Sequence, residues 1–166
     1  NDKGYVILLD SEDNILKNTS ITVDTDKELQ AIKIEKDLNT ITNCTINMTA
    51  AAGDVEWYEN YAIGYVPTVA VFIRSSDNFI NNSKIFVYGS KVAEGAFSPT
   101  VDGVDIQSKA VGEYVVGNEL RNTRINVTGG SYVYGLNMAR AKDTYSTLTY
   151  FIVNLTNCAY ALQIVF

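Results

Sequence analysis

The stretch Asn78-Phe79-Ile80-Asn81-Asn82-Ser83-Lys84-Ile85-Phe86-Val87 decides the fold, because its pattern of Asn, branched apolar residue, Asn, then Ile-x-Val recurs along the chain. Towards the N-terminus it is preceded by Asn39-Thr40-Ile41-Thr42-Asn43 with Ile46 and Met48, and before that by Asn14-Ile15-Leu16-Lys17-Asn18 with Ile21 and Val23. Towards the C-terminus it returns as Asn118-Glu119-Leu120-Arg121-Asn122 with Ile125 and Val127. A degenerate copy, Ser146-Thr147-Leu148-Thr149-Tyr150 with Val153 and Leu155, follows. Within these short runs apolar and polar residues alternate, which is a strand signal, and Asn on either side suits turns that need positive φ.

A third alternating element lies between the copies. It reads Ala31-Ile32-Lys33-Ile34, Val69-Ala70-Val71-Phe72-Ile73, Gly103-Val104-Asp105-Ile106, Gly135-Leu136-Asn137-Met138 and Ala161-Leu162-Gln163-Ile164, and Gly4-Tyr5-Val6-Ile7 looks like the same element from an earlier coil. Three short strands per repeat, a repeat of about two dozen residues at its shortest, and length changes confined to one connection describe an all-β parallel β-helix of about five coils. One sheet then turns Leu16, Ile41, Ile80, Leu120 and Leu148 inward, and the second turns in Ile21/Val23, Ile46/Met48, Ile85/Val87, Ile125/Val127 and Val153/Leu155. The third contributes Ile32/Ile34, Val71/Ile73, Val104/Ile106, Leu136/Met138 and Leu162/Ile164.

An antiparallel sandwich also offers short alternating strands. It gives no reason for an Asn at a fixed distance from Ile-x-Val, whereas stacked coils set Asn18, Asn43, Asn82 and Asn122 above one another, where their amides are expected to bond as a ladder.

With 166 residues, 46% of them hydrophobic, the chain reads as a single domain with a continuous core. A net charge of -6 and a pI near 4.6 disfavour nucleic acid or an anionic membrane surface, both of which want a basic stripe. There is no histidine, which removes the commonest general base and the usual transition-metal ligand. No run of apolar residues is long enough to cross a bilayer. No cofactor or metal is expected.

At these residues the chain resembles the right-handed parallel β-helix repeats of the NosD-like and pectate-lyase-like superfamily, whose usual coil is N-x-I-x-N-x-x-I followed by G-I-x-I. The likeness covers nearly the whole chain. In its low-charge, Asn-, Thr- and Ile-rich composition it is most similar to adhesin-like surface proteins of methanogenic archaea. The resemblance implies a right-handed solenoid, an extracellular place at the cell surface, and carbohydrate or a cell-surface protein as partner. Departures matter too. Polygalacturonase-like members pair aspartates with a histidine that is missing here, and pectate lyases use an arginine base with calcium-binding acids, which only Asp102 and Asp105, with Arg74 and Arg140, would imitate.

The coils differ mainly in the link between the Ile-x-Val strand and the third strand: short in the first copy, long at Thr49 to Thr68 and Tyr88 to Asp102, short at Thr128 to Tyr134. The long links carry Trp57, Tyr58, Tyr61, Tyr65, Tyr88 and Phe97, and the short one adds Tyr132 and Tyr134. These links are expected to overhang the third sheet, whose outward column is Lys33, Phe72, Asp105, Asn137 and Gln163. Aromatic faces beside amides and carboxylates suit sugar rings, which offer C–H faces and hydroxyls. The competing explanation is that the aromatics simply pack the links against the solenoid.

Weaker signals each have a plain structural reading. Asp102-Gly103 is a good turn and Asp105 fits a strand surface. Asp54, Glu56 and Glu59 would suit a cation, but their spacing matches no EF-hand-type loop. Asn18, Asn43, Asn47, Asn81, Asn126 and Asn154 fit N-x-[ST], with Asn47, Asn126 and Asn154 facing out from the second sheet, and an Asn/Thr-rich repeat produces such matches by chance. Cys44 and Cys158 fall three rungs apart, roughly 14 Å at the strand spacing, too far for a disulfide. Two free, buried thiols are expected. Because the chain begins and ends in mid-coil, it is expected to be part of a longer solenoid and to self-associate through its open rungs.

Overall fold

The computed structural model describes residues 4–53, 55–58, 61–65, 68–92, 100–109, 113–130, 132–139, 152–156 and 162–165. The chain enters on β1 (Gly4–Leu9). The first coil carries β2 (Ile15–Lys17), β3 (Ser20–Asp24) and β4 (Leu29–Ile34). The second has β5 (Thr40–Thr42) and β6 (Thr45–Ala52), then a pair, β7 (Val55–Tyr58) and β8 (Tyr61–Tyr65), before β9 (Thr68–Ile73) closes it. The third consists of β10 (Phe79–Asn81), β11 (Lys84–Val92) and β12 (Thr100–Gln107). β13 (Glu119–Arg121), β14 (Arg124–Thr128) and β15 (Tyr132–Ala139) make the fourth, and β16 (Ile152–Thr156) and β17 (Leu162–Val165) belong to the fifth.

These strands stack into three parallel sheets, β1-β4-β9-β12-β15-β17, β2-β5-β10-β13 and β3-β6-β11-β14-β16. Every strand of these three sheets therefore pairs with its counterpart one coil away, and the molecule is a right-handed parallel β-helix. Registry matches the sequence columns residue for residue. Leu16, Ile41, Ile80 and Leu120 align, as do Ile21, Ile46, Ile85, Ile125 and Val153. In the six-stranded sheet Ile7, Ile32, Val71, Val104, Leu136 and Leu162 form one row. Because the pleat forces alternate side chains inward, these rows fuse into one core, with Ile32, Ile41, Ile80, Ile85 and Ile125 completely buried. Each contributes about 1.5 to 3 kcal/mol of burial. The first strand of the degenerate fifth copy, with Leu148, lies outside the described residues.

The turns depend on two conserved geometries within the chain. Asn18, Asn43, Asn82 and Asn122 stand at φ 53°, 53°, 49° and 46°, the left-handed region that asparagine tolerates better than most residues. One position before each motif, Asp13, Leu38, Asp77 and Gly117 are also left-handed, at φ 59°, 63°, 56° and 68°. The expected asparagine ladder is found at the other asparagine of the motif. Asn18 and Asn43 make one exposed contact, Asn43 Nδ2 to Asn18 Oδ1 at 3.4 Å. The inner ladder is Asn14, Asn39, Asn78 and Asn118. Asn14 Nδ2 donates to Asn39 Oδ1 at 2.9 Å, and Asn78 Nδ2 to Asn118 Oδ1 at 3.0 Å. Backbone N–H groups of Asn14, Asn39 and Asn78 donate to the same row of side-chain oxygens at 3.0, 2.9 and 3.0 Å. The ladder absorbs coils of different length, since its members are 25, 39 and 40 residues apart.

After each left-handed Asn comes a small polar residue that bonds back to the carbonyl two positions earlier. Thr19, Ser83 and Thr123 do so through a hydroxyl at 2.9 Å. Cys44 occupies this column in the second coil, its thiol 3.3 Å from the Thr42 carbonyl oxygen. It is free and buried as expected, but it stands in for a hydroxyl rather than for an apolar side chain. Cys158 lies outside the described residues. At the inner corner of the six-stranded sheet, Gly103 is required by space: a Cβ there would lie 2.2 Å from Ile125 Cγ2 and 2.7 Å from the Gly135 carbonyl oxygen.

Candidate functional site

The long link at Thr49 to Thr68 contains a strand extension and a hairpin. β6 runs on to Ala52, a reciprocal backbone pair joins Gly53 and Thr100 (Thr100 N to Gly53 O, 2.7 Å), and β7 and β8 then pair antiparallel. This two-stranded sheet is separate from the three solenoid sheets. Trp57, Tyr58, Tyr61 and Tyr65 all belong to it, with Tyr58 opposite Tyr61, Trp57 opposite Ala62 and Tyr65 opposite Val55. Four of the aromatics singled out in the sequence are thus gathered on one hairpin. Tyr132 begins β15 and pairs with Thr100, the partner of Gly53. Phe97 and Arg140 lie outside the described residues, as do Asp54 and Glu59 of the acidic trio, which leaves Glu56 on β7.

Asp105 occupies the expected column, aligned with Lys33, Phe72, Asn137 and Gln163. The middle of that column is covered. Phe72 is 2% exposed, Asp105 0% and Asn137 6%. Asp102, aligned with Val69 and Tyr134, is fully buried too, and Tyr134 is buried. The acids and amide that the sequence assigns to an open groove are sealed in this structure.

Burial changes what Asp105 does chemically. Removal from water pushes its carboxyl up to about 8, against a hydrogen bond from Gln107 Nε2 to Oδ2 (3.1 Å) and the field of Arg74, both of which favour the charged form. Oδ1 has no hydrogen-bond partner, and neither has Asn137 Oδ1 in the next coil. Arg74 does not form an ion pair with Asp105. Its guanidinium sits 5.7 Å from the Phe72 ring centroid and donates to the Lys109 carbonyl oxygen at 3.1 Å. At neutral pH Asp105 is therefore mostly protonated, the wrong form for a general base or a cation ligand.

A polar hollow of about 290 Å³ lies where the corners of three coils meet, lined by Glu35, Asp37, Arg74, Ser76, Lys109 and Glu113 among others. Its charges are largely spoken for. Glu35 bonds Lys33 at 2.6 Å and Lys109 at 3.0 Å, and Asp37 Oδ1 accepts the Ser76 backbone N–H at 2.7 Å. Burial alone would raise the Glu35 carboxyl. The hydrogen bonds and charges of Lys33 and Lys109 more than offset that and hold it below its ordinary value. The arrangement clamps successive coils together.

A second concavity, an open trough of about 440 Å³, lies on the outer face of the five-stranded sheet, lined by Asn47, Thr49, Phe86, Tyr88, Asn126 and Thr128 with the intervening Met48, Val87 and Val127. Sequence reasoning passed over Phe86 and treated Tyr88 as a link residue. Their alternation with the inward Ile85 and Val87 was the available signal, since it makes them neighbours on the outer face.

Among the described residues there is no cluster of three or more Cys, Asp or Glu able to hold a metal ion, and no helix long and apolar enough to cross a membrane. The fold and these surfaces define a parallel β-helix with aromatic outer features. The chain matches no family model, no curated protein and no solved structure.

Proposed function

We propose that this chain is a segment of a cell-surface, adhesin-like β-helix that binds carbohydrate, or a partner protein's surface, through its aromatic hairpin and acts otherwise as a stiff spacer. The observation that carries the reading is the gathering of Trp57, Tyr58, Tyr61 and Tyr65 on one hairpin attached to a scaffold in which Asp102 and Asp105 are sealed. Aromatic side chains provide large contact area with few rotatable bonds, which favours sugar C–H faces and protein surfaces alike. A solenoid cross-linked by the asparagine ladder supplies a rigid base for such a site. The groove-enzyme alternative, built on Asp102, Asp105 and an arginine, is the weaker reading, because Asp105 is buried and protonated and Arg74 is engaged elsewhere.

A glycan array probed with the intact chain and with Trp57→Ala tests the proposal. Loss of at least one bound glycan in the variant, while thermal unfolding is unchanged, is the expected result. An array pattern identical in the parent, Trp57→Ala and Tyr61→Ala would overturn the assignment to the hairpin, and absence of binding would leave a structural stalk as the function.

A further inference from the structure

The outer face of the five-stranded sheet has a pattern that neither the hairpin nor the buried acids use. Successive coils align Thr22, Asn47, Phe86, Asn126 and Asn154 in one column and Asp24, Thr49, Tyr88, Thr128 and Thr156 in the next. Coils two and four thus present Asn and Thr side by side, coil five carries Asn and Thr in the same register, and coil three presents Phe and Tyr at the same two positions. The trough forms around that change. Tyr88 is 47% exposed and Phe86 half-buried, so both rings are available from outside, edged above and below by amides and hydroxyls one strand spacing away.

From this geometry we infer that the trough binds a neutral polysaccharide, independently of the hairpin. The ligand class follows from the lining chemistry. None of the nine lining residues carries a charge, although the chain as a whole has a net charge of -6. An anionic glycan or a nucleic acid would need Lys or Arg among the groups that meet the rings, whereas the nearest cations on this face, the exposed Lys84 and Arg124, stand beside Phe86 and Asn126 outside the lining. Purely apolar ligands would strip water from Asn47 and Thr49 without replacing their hydrogen bonds, at a cost for each group. Neutral sugar rings satisfy both halves of the surface, stacking C–H faces on Phe86 and Tyr88 while hydroxyls exchange hydrogen bonds with the flanking amides and hydroxyls. The volume of about 440 Å³ is within the range of about 300 to 1,000 Å³ of small-ligand sites, enough for a short run of sugar units.

Affinity electrophoresis of the whole chain through gels containing soluble glucan, mannan or galactan, with polygalacturonate as the charged control, tests the inference. The diagnostic variant is Phe86→Asn with Tyr88→Thr, which gives coil three the residues that its neighbours carry in the same columns and so preserves the strand. Retardation by at least one neutral polymer, weakened about tenfold or more in this variant, retained in Trp57→Ala and absent with polygalacturonate, is expected. Retardation lost in Trp57→Ala but kept in the double variant would overturn the trough and leave the hairpin reading standing. Absence of retardation by all neutral polymers would overturn it as well. So would concentration-dependent dimerisation abolished by the double variant, which would make a second copy the occupant.

Discussion

The backbone N–H of Asn39 donates to the side-chain Oδ1 of Asn78 in the next coil at 2.9 Å, with both residues essentially inaccessible to water. This bond recurs up the solenoid and fixes the vertical register of coils whose links differ in length. Asn78 also donates through Nδ2 to Asn118 Oδ1, Ser75 Oγ and the Ser76 carbonyl oxygen. Asn78→Ala leaves the buried Asn39 N–H without an acceptor, and its expected cost is about 2 to 4 kcal/mol in global unfolding by denaturant. A loss under about 0.5 kcal/mol, typical of a surface change, would remove the ladder from the account.

The other asparagine of the motif has a conformational role. Asn82 stands at φ 49° with its side chain exposed. Asn82→Gly is expected to change stability by only a few tenths of a kcal/mol, whereas Asn82→Val, β-branched and strained at positive φ, costs about 1 to 2 kcal/mol. Thermal melts of the pair measure the difference, and equal melting temperatures would contradict it.

Burial separates an inward isoleucine of the repeat from an outward one. Ile85 is fully buried between Ile46 and Ile125, while Ile15 is 66% exposed on the edge strand of its sheet. Ile85→Ala is expected to cost about 2 to 5 kcal/mol. Ile15→Ala should stay within about 0.5 kcal/mol.

Stability should depend on pH through Asp105. Its folded carboxyl is raised from 3.8 to about 8, so the folded state holds a proton that the unfolded state has lost between those values. The sign follows: this group's contribution is present at acidic pH and is lost as pH rises through that window, by up to about 1.4 kcal/mol per pH unit. Asp105→Asn, which stays neutral, should flatten the profile and melt above the parent at pH 8 and higher. A parent chain that gains stability relative to this variant as pH rises would show that Asp105 is ionised in the folded state.

Most of the scaffold was legible from alternation alone. Once Ile80, Ile85 and Val87 are seen to recur, the pleat dictates their inward direction and parallel stacking dictates their partners. The asparagine roles were harder to separate. Asn78 and Asn82 repeat with the same spacing, and only backbone angles distinguish a buried bonding residue from a left-handed turn; Gly117 before Asn118 hinted at the arrangement, but Leu38 before Asn39 hid it. The covering of Asp105 and Asn137 was not legible, because exposure of an outward strand residue depends on what lies over it, which alternation does not encode. The Phe86 and Tyr88 trough required comparing the same column in different coils, where it stands out as an aromatic pair among Asn and Thr.

The central claim is that the chain holds glycan without cleaving it. Incubating the intact chain with a polysaccharide that it retains, while following reducing-end release and the absorbance of unsaturated products in the same sample, tests this most directly. Retention with no change in either signal over background, in the parent and in Asp105→Asn alike, is the predicted result. Product that accumulates with the parent and disappears with Asp105→Asn would contradict it and make the buried carboxyl part of an enzyme.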